Sequence, residues 1–172
     1  MRQRLSGIVA GVALGAAALV MTAGMANAAD PAGRTIMSRD DSRCVHAVAN
    51  TPAADVQVGA CTVDDNSFRT VYYADAGNSE IRTASNLCVD GRAGRGGALE
   101  VQPCTGAASQ RWNIVDDPAT SHPFARLIKS AAHPGLVWDV HNHGAGSTVQ
   151  LWDGIGGEHQ SWIIARIAHP AS

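Results

Sequence analysis

Past the first thirty residues no stretch of the chain repeats its apolar positions at helical spacing. Apolar side chains come instead in short or alternating runs, at 56–58, 71–73, 99–101, 127–128 and 162–164, separated by polar and turn-forming residues. Alternation of this kind predicts strands with one face buried, so the pattern predicts an all-β protein of many short strands. Two turn-rich loops, 91–97 and 142–147, interrupt it. The first is glycine-rich and carries Arg92 and Arg95, but a strand-like segment follows it. A phosphate-binding loop needs a helix at that place, so this reading is set aside.

The pattern also repeats. Leu87-Cys88-Val89-Asp90 falls on Leu136-Val137-Trp138-Asp139, residues 98–104 fall on 148–154, and Gln110-Arg111-Trp112 falls on Gln160-Ser161-Trp162. A degenerate copy precedes them, with Cys44-Val45-His46 at the first anchor, residues 56–61 at the second, and Asn66-Ser67-Phe68 where Gln-x-Trp should stand. The copies span about 35–75, 79–117 and 124–166. None is large enough to bury its own apolar face, so three must share one core and close on each other. Trp112, Trp162 and Phe68 are expected to form a layer of that core, with Gln110 and Gln160 as buried amides satisfying loop backbone. Trp138 and Trp152 are expected to turn outward together, with Val137 and Leu151 supplying the core side.

The repeat also selects a pairing for the four cysteines. Cys44 and Cys61 hold the same two positions as Cys88 and Cys104, which predicts the bridges Cys44–Cys61 and Cys88–Cys104. The third copy has Val137 and Gly154 there, a loss of both partners together. Zinc is the rival use of four cysteines, but no Cys-x-x-Cys spacing is present.

Disulfides require an oxidising compartment, and the N-terminus agrees. Arg2 and Arg4 precede an apolar run over 8–25 without acidic residues, and Ala26-Asn27-Ala28 follows. This predicts a cleaved signal peptide over 1–28, a single domain over 29–172, and a secreted, extracellular protein; a retained membrane anchor is the weaker alternative. Removing two arginines leaves 11 basic against 15 acidic side chains, a net charge of −4. A mildly acidic surface argues against nucleic acid or an anionic membrane as partner.

The triplication, the cysteine positions and the two Gln-x-Trp triplets make the chain resemble the ricin B-type lectin family and the related sugar-binding modules of bacterial xylanases, over about residues 35–166. The resemblance implies a β-trefoil with at most one shallow pocket per repeat for galactose-, xylose- or arabinose-type sugars. In such pockets an Asp after the first cysteine position accepts hydrogen bonds from hydroxyls, and an aromatic before the second stacks on the sugar ring. The third copy keeps the set as Asp139, Gln150, Trp152 and His159, with Gln160 behind them. His159 stands where Asn is commoner, and an imidazole there makes binding sensitive to pH between 5 and 8. The second copy is a weaker site: Asp90 and Gln110 remain, but Glu100, Gln102 and Ser109 occupy the other places. The first, with His46, Gly59 and Asp65, is expected to have no sugar site.

The expected function is therefore carbohydrate binding, without catalysis, metal or cofactor. There is no Gly-x-Ser-x-Gly or His-Glu-x-x-His motif. His141 and His143 lack a third ligand, and paired carboxylates for glycoside hydrolysis would have to come from Asp139, Asp153 and Glu158. The alternative is a trefoil interaction protein or protease inhibitor without a sugar site, docking through residues 116–126.

Overall fold

The computed structural model describes residues 34–61, 68–71, 78–142, 144 and 146–166. The first four strands are β1 (Arg34–Ser38), β2 (Cys44–Ala47), β3 (Ala54–Gly59) and β4 (Phe68–Val71). β5 (Glu80–Thr83), β6 (Leu87–Asp90), β7 (Glu100–Pro103) and β8 (Trp112–Asp116) follow, then β9 (Ala125–Ser130), β10 (Leu136–Val140), β11 (Val149–Asp153) and β12 (Trp162–Arg166). Single turns of 3-10 helix at Ala108–Gln110 and Glu158–Gln160 precede β8 and β12, and no α-helix occurs among the described residues.

Antiparallel pairs β1 with β12, β4 with β5 and β8 with β9 join each set of four strands to the next. The hairpins β2–β3, β6–β7 and β10–β11 meet one another. Val56 N–H donates to Leu99 O at 2.9 Å, Leu99 N–H to Val149 O at 2.8 Å, and Val58 N–H to Ser147 O at 3.0 Å. Each hairpin is thus bonded to the other two, which ties up edges that would otherwise template aggregation. The fold is a β-trefoil.

Three indoles fill the core. Trp112, Trp138 and Trp162 are completely buried. Trp138 meets the other two edge to face, at centroid distances of 5.2 Å to Trp112 and 6.0 Å to Trp162. Edge-to-face packing sets the positive ring edge against the negative face, a favourable quadrupole arrangement. Trp138 differs from the sequence expectation, which turned it outward with Trp152. Residues directly opposite across an antiparallel ladder share a face. Trp138 is opposite Leu151, while Trp152 is opposite Val137. The true pairing is therefore Trp138 with Leu151 inward and Trp152 with Val137 on the other face.

The two disulfides form as expected, Cys44–Cys61 and Cys88–Cys104. Each ties the first strand of a hairpin to the segment just beyond its second strand. All four cysteines are thereby used, and none is left for zinc. In the third hairpin a Cβ on Gly154 would lie 3.6 Å from Val137 Cγ1, so van der Waals contact replaces the bridge. Phe68 begins β4 with its backbone opposite Thr83. Its expected place in the tryptophan layer lies outside the described residues, as do the signal segment 1–28, Asp65 and His143.

Candidate binding site

The β10–β11 ladder sets Asp139 opposite Gln150, and the side-chain chemistry of the site follows from that register. Gln150 Nε2 donates to Asp139 Oδ1 at 2.8 Å, and Gln160 Nε2 donates to Asp139 Oδ2 at 2.9 Å. His159 Nε2 lies 3.3 Å from the same Oδ2. Asp139 is 4% exposed, so the two amide donors fix the orientation of its carboxylate and offset its loss of water.

Gln160 is completely buried and acts as a connector, as its place behind the pocket suggested. Its Nε2 also donates to Asp153 O at 2.8 Å, while its Oε1 accepts from Ile155 N–H at 2.8 Å and Gly156 N–H at 3.3 Å. One amide thus locks the loop after β11 to the Asp139 carboxylate. The helical turn Glu158–Gln160 presents His159 beside it. The imidazole lies so close over Gly157 that a Cβ there would be 2.1 Å from His159 Cε1.

Trp152 is half-buried at the end of β11, and Arg95 of the second repeat crosses to it. The guanidinium carbon sits 4.1 Å from the indole centroid, and Arg95 Nε donates to Asp153 Oδ2 at 2.8 Å. The Arg95 hydrogen bond holds the Asp153 carboxyl below the usual carboxylate range; partial desolvation opposes this, and Coulomb attraction adds a smaller pull. Gly96 N–H donates to Leu151 O at 2.7 Å, which fastens the 91–97 loop to β11. Gly96 has φ +75°, and a Cβ there would stand 3.4 Å from Trp152 Cζ3, so a glycine suits both the turn and the approach.

A cleft of about 290 Å³ opens between these groups. Asp139, Gln150, Trp152 and His159 wall it, so four of the five expected residues meet in one place, with Gln160 beneath them. The exposed His141, Asn142 and Ile155 also border it and were not expected there. Asn142 holds the left-handed turn after β10 at φ 63°, a conformation Asn tolerates. Arg95 was also missed as a site residue, because a contact between repeats leaves no trace in the spacing within one.

The equivalent places in the other repeats differ. Asp90 is opposite Glu100, which cannot donate to it as Gln150 does to Asp139. Arg92 N–H donates to Asp90 Oδ1 at 3.0 Å and Gln110 Nε2 to Oδ2 at 3.1 Å. The Arg92 guanidinium and Gln102 Nε2 both bind Glu100 Oε2, at 2.7 and 3.0 Å. The second repeat therefore satisfies its own polar groups and offers no ring. Ser109 supplies its carbonyl to Gly91 N–H at 2.9 Å. In the first repeat His46 lies over Gly59, where a Cβ would be 2.5 Å from its Cε1. Its imidazole thus fills the space in which a side chain at 59, the position equivalent to Trp152, would begin.

Comparison with known proteins agrees with this fold. The chain is similar over residues 77–172 to the family described as the ricin-type beta-trefoil lectin domain. The designed threefold symmetric protein ThreeFoil is 20% identical with a TM-score of 0.70, over 78% of this chain and 98% of that one. A ricin B-like lectin of Macrolepiota procera, solved with lactose, is 19% identical with a TM-score of 0.63, over 78% and 96%. An exo-β-1,3-galactanase of Clostridium thermocellum is 18% identical with a TM-score of 0.70, but the match covers only 31% of that chain against 80% of this one. The family match takes in the two repeats that carry Gln-x-Trp. Spanning more than half of the sequence, it shows that the chain belongs to the ricin-type β-trefoil lectin domain family.

Proposed function

We propose that the protein is a secreted carbohydrate-binding protein that holds galactose-, xylose- or arabinose-type sugars in the third-repeat cleft. The single observation that carries this reading is the Asp139 carboxylate, fixed by Gln150, Gln160 and His159 in a cleft that Trp152 also walls. A carboxylate accepts from adjacent sugar hydroxyls while an indole covers the apolar C–H face, so the ligand is gripped from two chemically different sides. The family match supports the reading, as does the lactose bound to the Macrolepiota lectin. The signal-like N-terminus and the two disulfides support export.

Binding without catalysis also fits the carboxylates. Asp139 holds the two amides, Asp153 is paired with Arg95, and Glu158 accepts from Arg39 at 2.8 Å. Each already has a structural partner. Three or four hydrogen bonds at about 1 kcal/mol each and about 1 kcal/mol from stacking give a dissociation constant near millimolar. One cleft of that strength retains a polymer or crowded glycan surface through avidity. A glycan and polysaccharide binding screen of the mature chain, beside Asp139→Ala and Trp152→Ala, tests this. Binding abolished by both changes in folded protein is expected. Absence of binding to any galactose-, xylose- or arabinose-containing ligand would overturn it.

A further inference from the structure

We propose that the third-repeat cleft is one of two adjoining saccharide subsites, the second lying in the groove between the second and third repeats, so that the ligand is an oligosaccharide. This rests on the cleft being a sugar site. A depression of about 200 Å³ lies against the cleft, lined by Gly96, Ala98, His141, Thr148 and Gln150. His141 and Gln150 belong to both hollows, so they form a continuous wall. Small-molecule sites span roughly 300–1,000 Å³. The cleft alone sits at the lower limit and the groove below it, while the two together fall inside the range.

The groove is built in advance. Ala98 is bridged to Gln150 across the two repeats, and Leu151 N–H donates to Gly97 O at 3.1 Å. Small residues at 96 and 98 keep one side low. The other carries the Thr148 hydroxyl and the exposed His141 imidazole, both able to donate and accept. Gln150 commits its Nε2 to Asp139, and the described residues supply no partner to its Oε1. That acceptor sits on the residue both hollows share. With no Trp, Tyr or Phe among the described residues lining the groove, a second sugar unit is held there by hydrogen bonds while the first stacks on Trp152.

Isothermal titration of the protein with galactose and xylose, beside galactobiose and xylobiose, tests the extension. We expect the matching disaccharide to bind about tenfold more tightly than its monosaccharide. Ala98→Phe fills the groove and is expected to remove that advantage while leaving monosaccharide affinity unchanged. Should this variant not fold, amide shift mapping of the wild type replaces it: the disaccharide is expected to move the Ala98 and Thr148 amides, and the monosaccharide to leave them. Equal affinities for one and two units, or unmoved Ala98 and Thr148 amides, would overturn the second subsite alone. Failure of both monosaccharides and disaccharides to bind would overturn the sugar-site reading and this inference with it.

Discussion

Arg95 and Trp152 come from different repeats, yet the guanidinium carbon of one lies 4.1 Å from the ring centroid of the other. Trp152, the residue proposed to stack on sugar in the third repeat, is thus oriented by the loop of the second. A cation over an indole is attracted by the ring quadrupole, and Arg suits the contact because its planar group stacks. We expect Arg95→Ala to weaken sugar binding by about threefold to fivefold through loss of that orientation, with the fold intact. Titration calorimetry checks this, and Arg95→Lys should fall between. Unchanged affinity in Arg95→Ala would show that Trp152 is oriented without it.

The same arginine sets the ionisation of Asp153, held below the ordinary carboxylate range chiefly by the Arg95 hydrogen bond. A carboxyl lowered in the folded state contributes stability that is present above its unfolded value, near ~3.9, and is lost as pH falls through the lower folded value. The pair is therefore intact from neutral pH down through the usual carboxylate range. We expect the Asp153 side-chain carbon to titrate below ~3.9 in the wild type and to return toward that value in Arg95→Ala. An identical midpoint in the two proteins would remove the link.

Trp138 and Trp152 lie in the same hairpin but do opposite work. Trp138 is 0% exposed between two other indoles, and Trp152 is half-buried beside a cleft. Trp138→Ala opens a core cavity and is expected to cost about 3–5 kcal/mol of stability. Trp152→Ala should cost less than about 1 kcal/mol and abolish sugar binding. Chemical denaturation and titration of both variants separate the two roles, and a reversed ranking of stability losses would contradict the assignment.

How much of this was legible in the sequence follows from which contacts repeat. The strands and both disulfides follow from positions that recur between copies, and the set Asp139, Gln150, Trp152 and His159 followed from the resemblance of the third copy to the lectin family. The facing of Trp138 was not legible by alternation alone, because Val137 and Trp138 are both buried in β10. Only the ladder register, with Leu151 opposite Trp138, decides which of them points to the centre. Arg95, Ala98 and Ile155 escaped for a different reason: they reach the site by packing of one repeat on another, or as a loop tip, and neither leaves a period.

Gly157 and His159 form a matched pair that the second repeat replaces with Ala107 and Ser109. A Cβ at 157 would lie 2.1 Å from the His159 ring, whereas the second repeat has only a small serine at the position of His159. Backbone strain is not the obstacle, since Gly157 has φ −76°. Gly157→Ala should therefore swing the imidazole away from Asp139 and weaken sugar binding, while stability changes by less than about 1 kcal/mol. Adding His159→Ser should relieve the crowding without restoring affinity. Full affinity in Gly157→Ala would mean that the contact between His159 and Asp139 is dispensable.

The third hairpin lacks the bridge that the other two carry. Val137 and Gly154 hold the places of Cys44 with Cys61 and of Cys88 with Cys104, whose Cα atoms are 4.8 and 5.0 Å apart. A Cβ on Gly154 would face Val137 Cγ1 at 3.6 Å, so side chains at the two positions come into contact. The double change Val137→Cys with Gly154→Cys is expected to oxidise spontaneously and to add up to about 3 kcal/mol, the chain-entropy value for a loop of this length. Part of that is offset by the loss of packing at Val137, which is 1% exposed. Thiol counting after refolding in air reports the bridge, and urea denaturation with and without reductant reports its contribution. Two free thiols in the folded variant would show that the third hairpin is set differently from the other two.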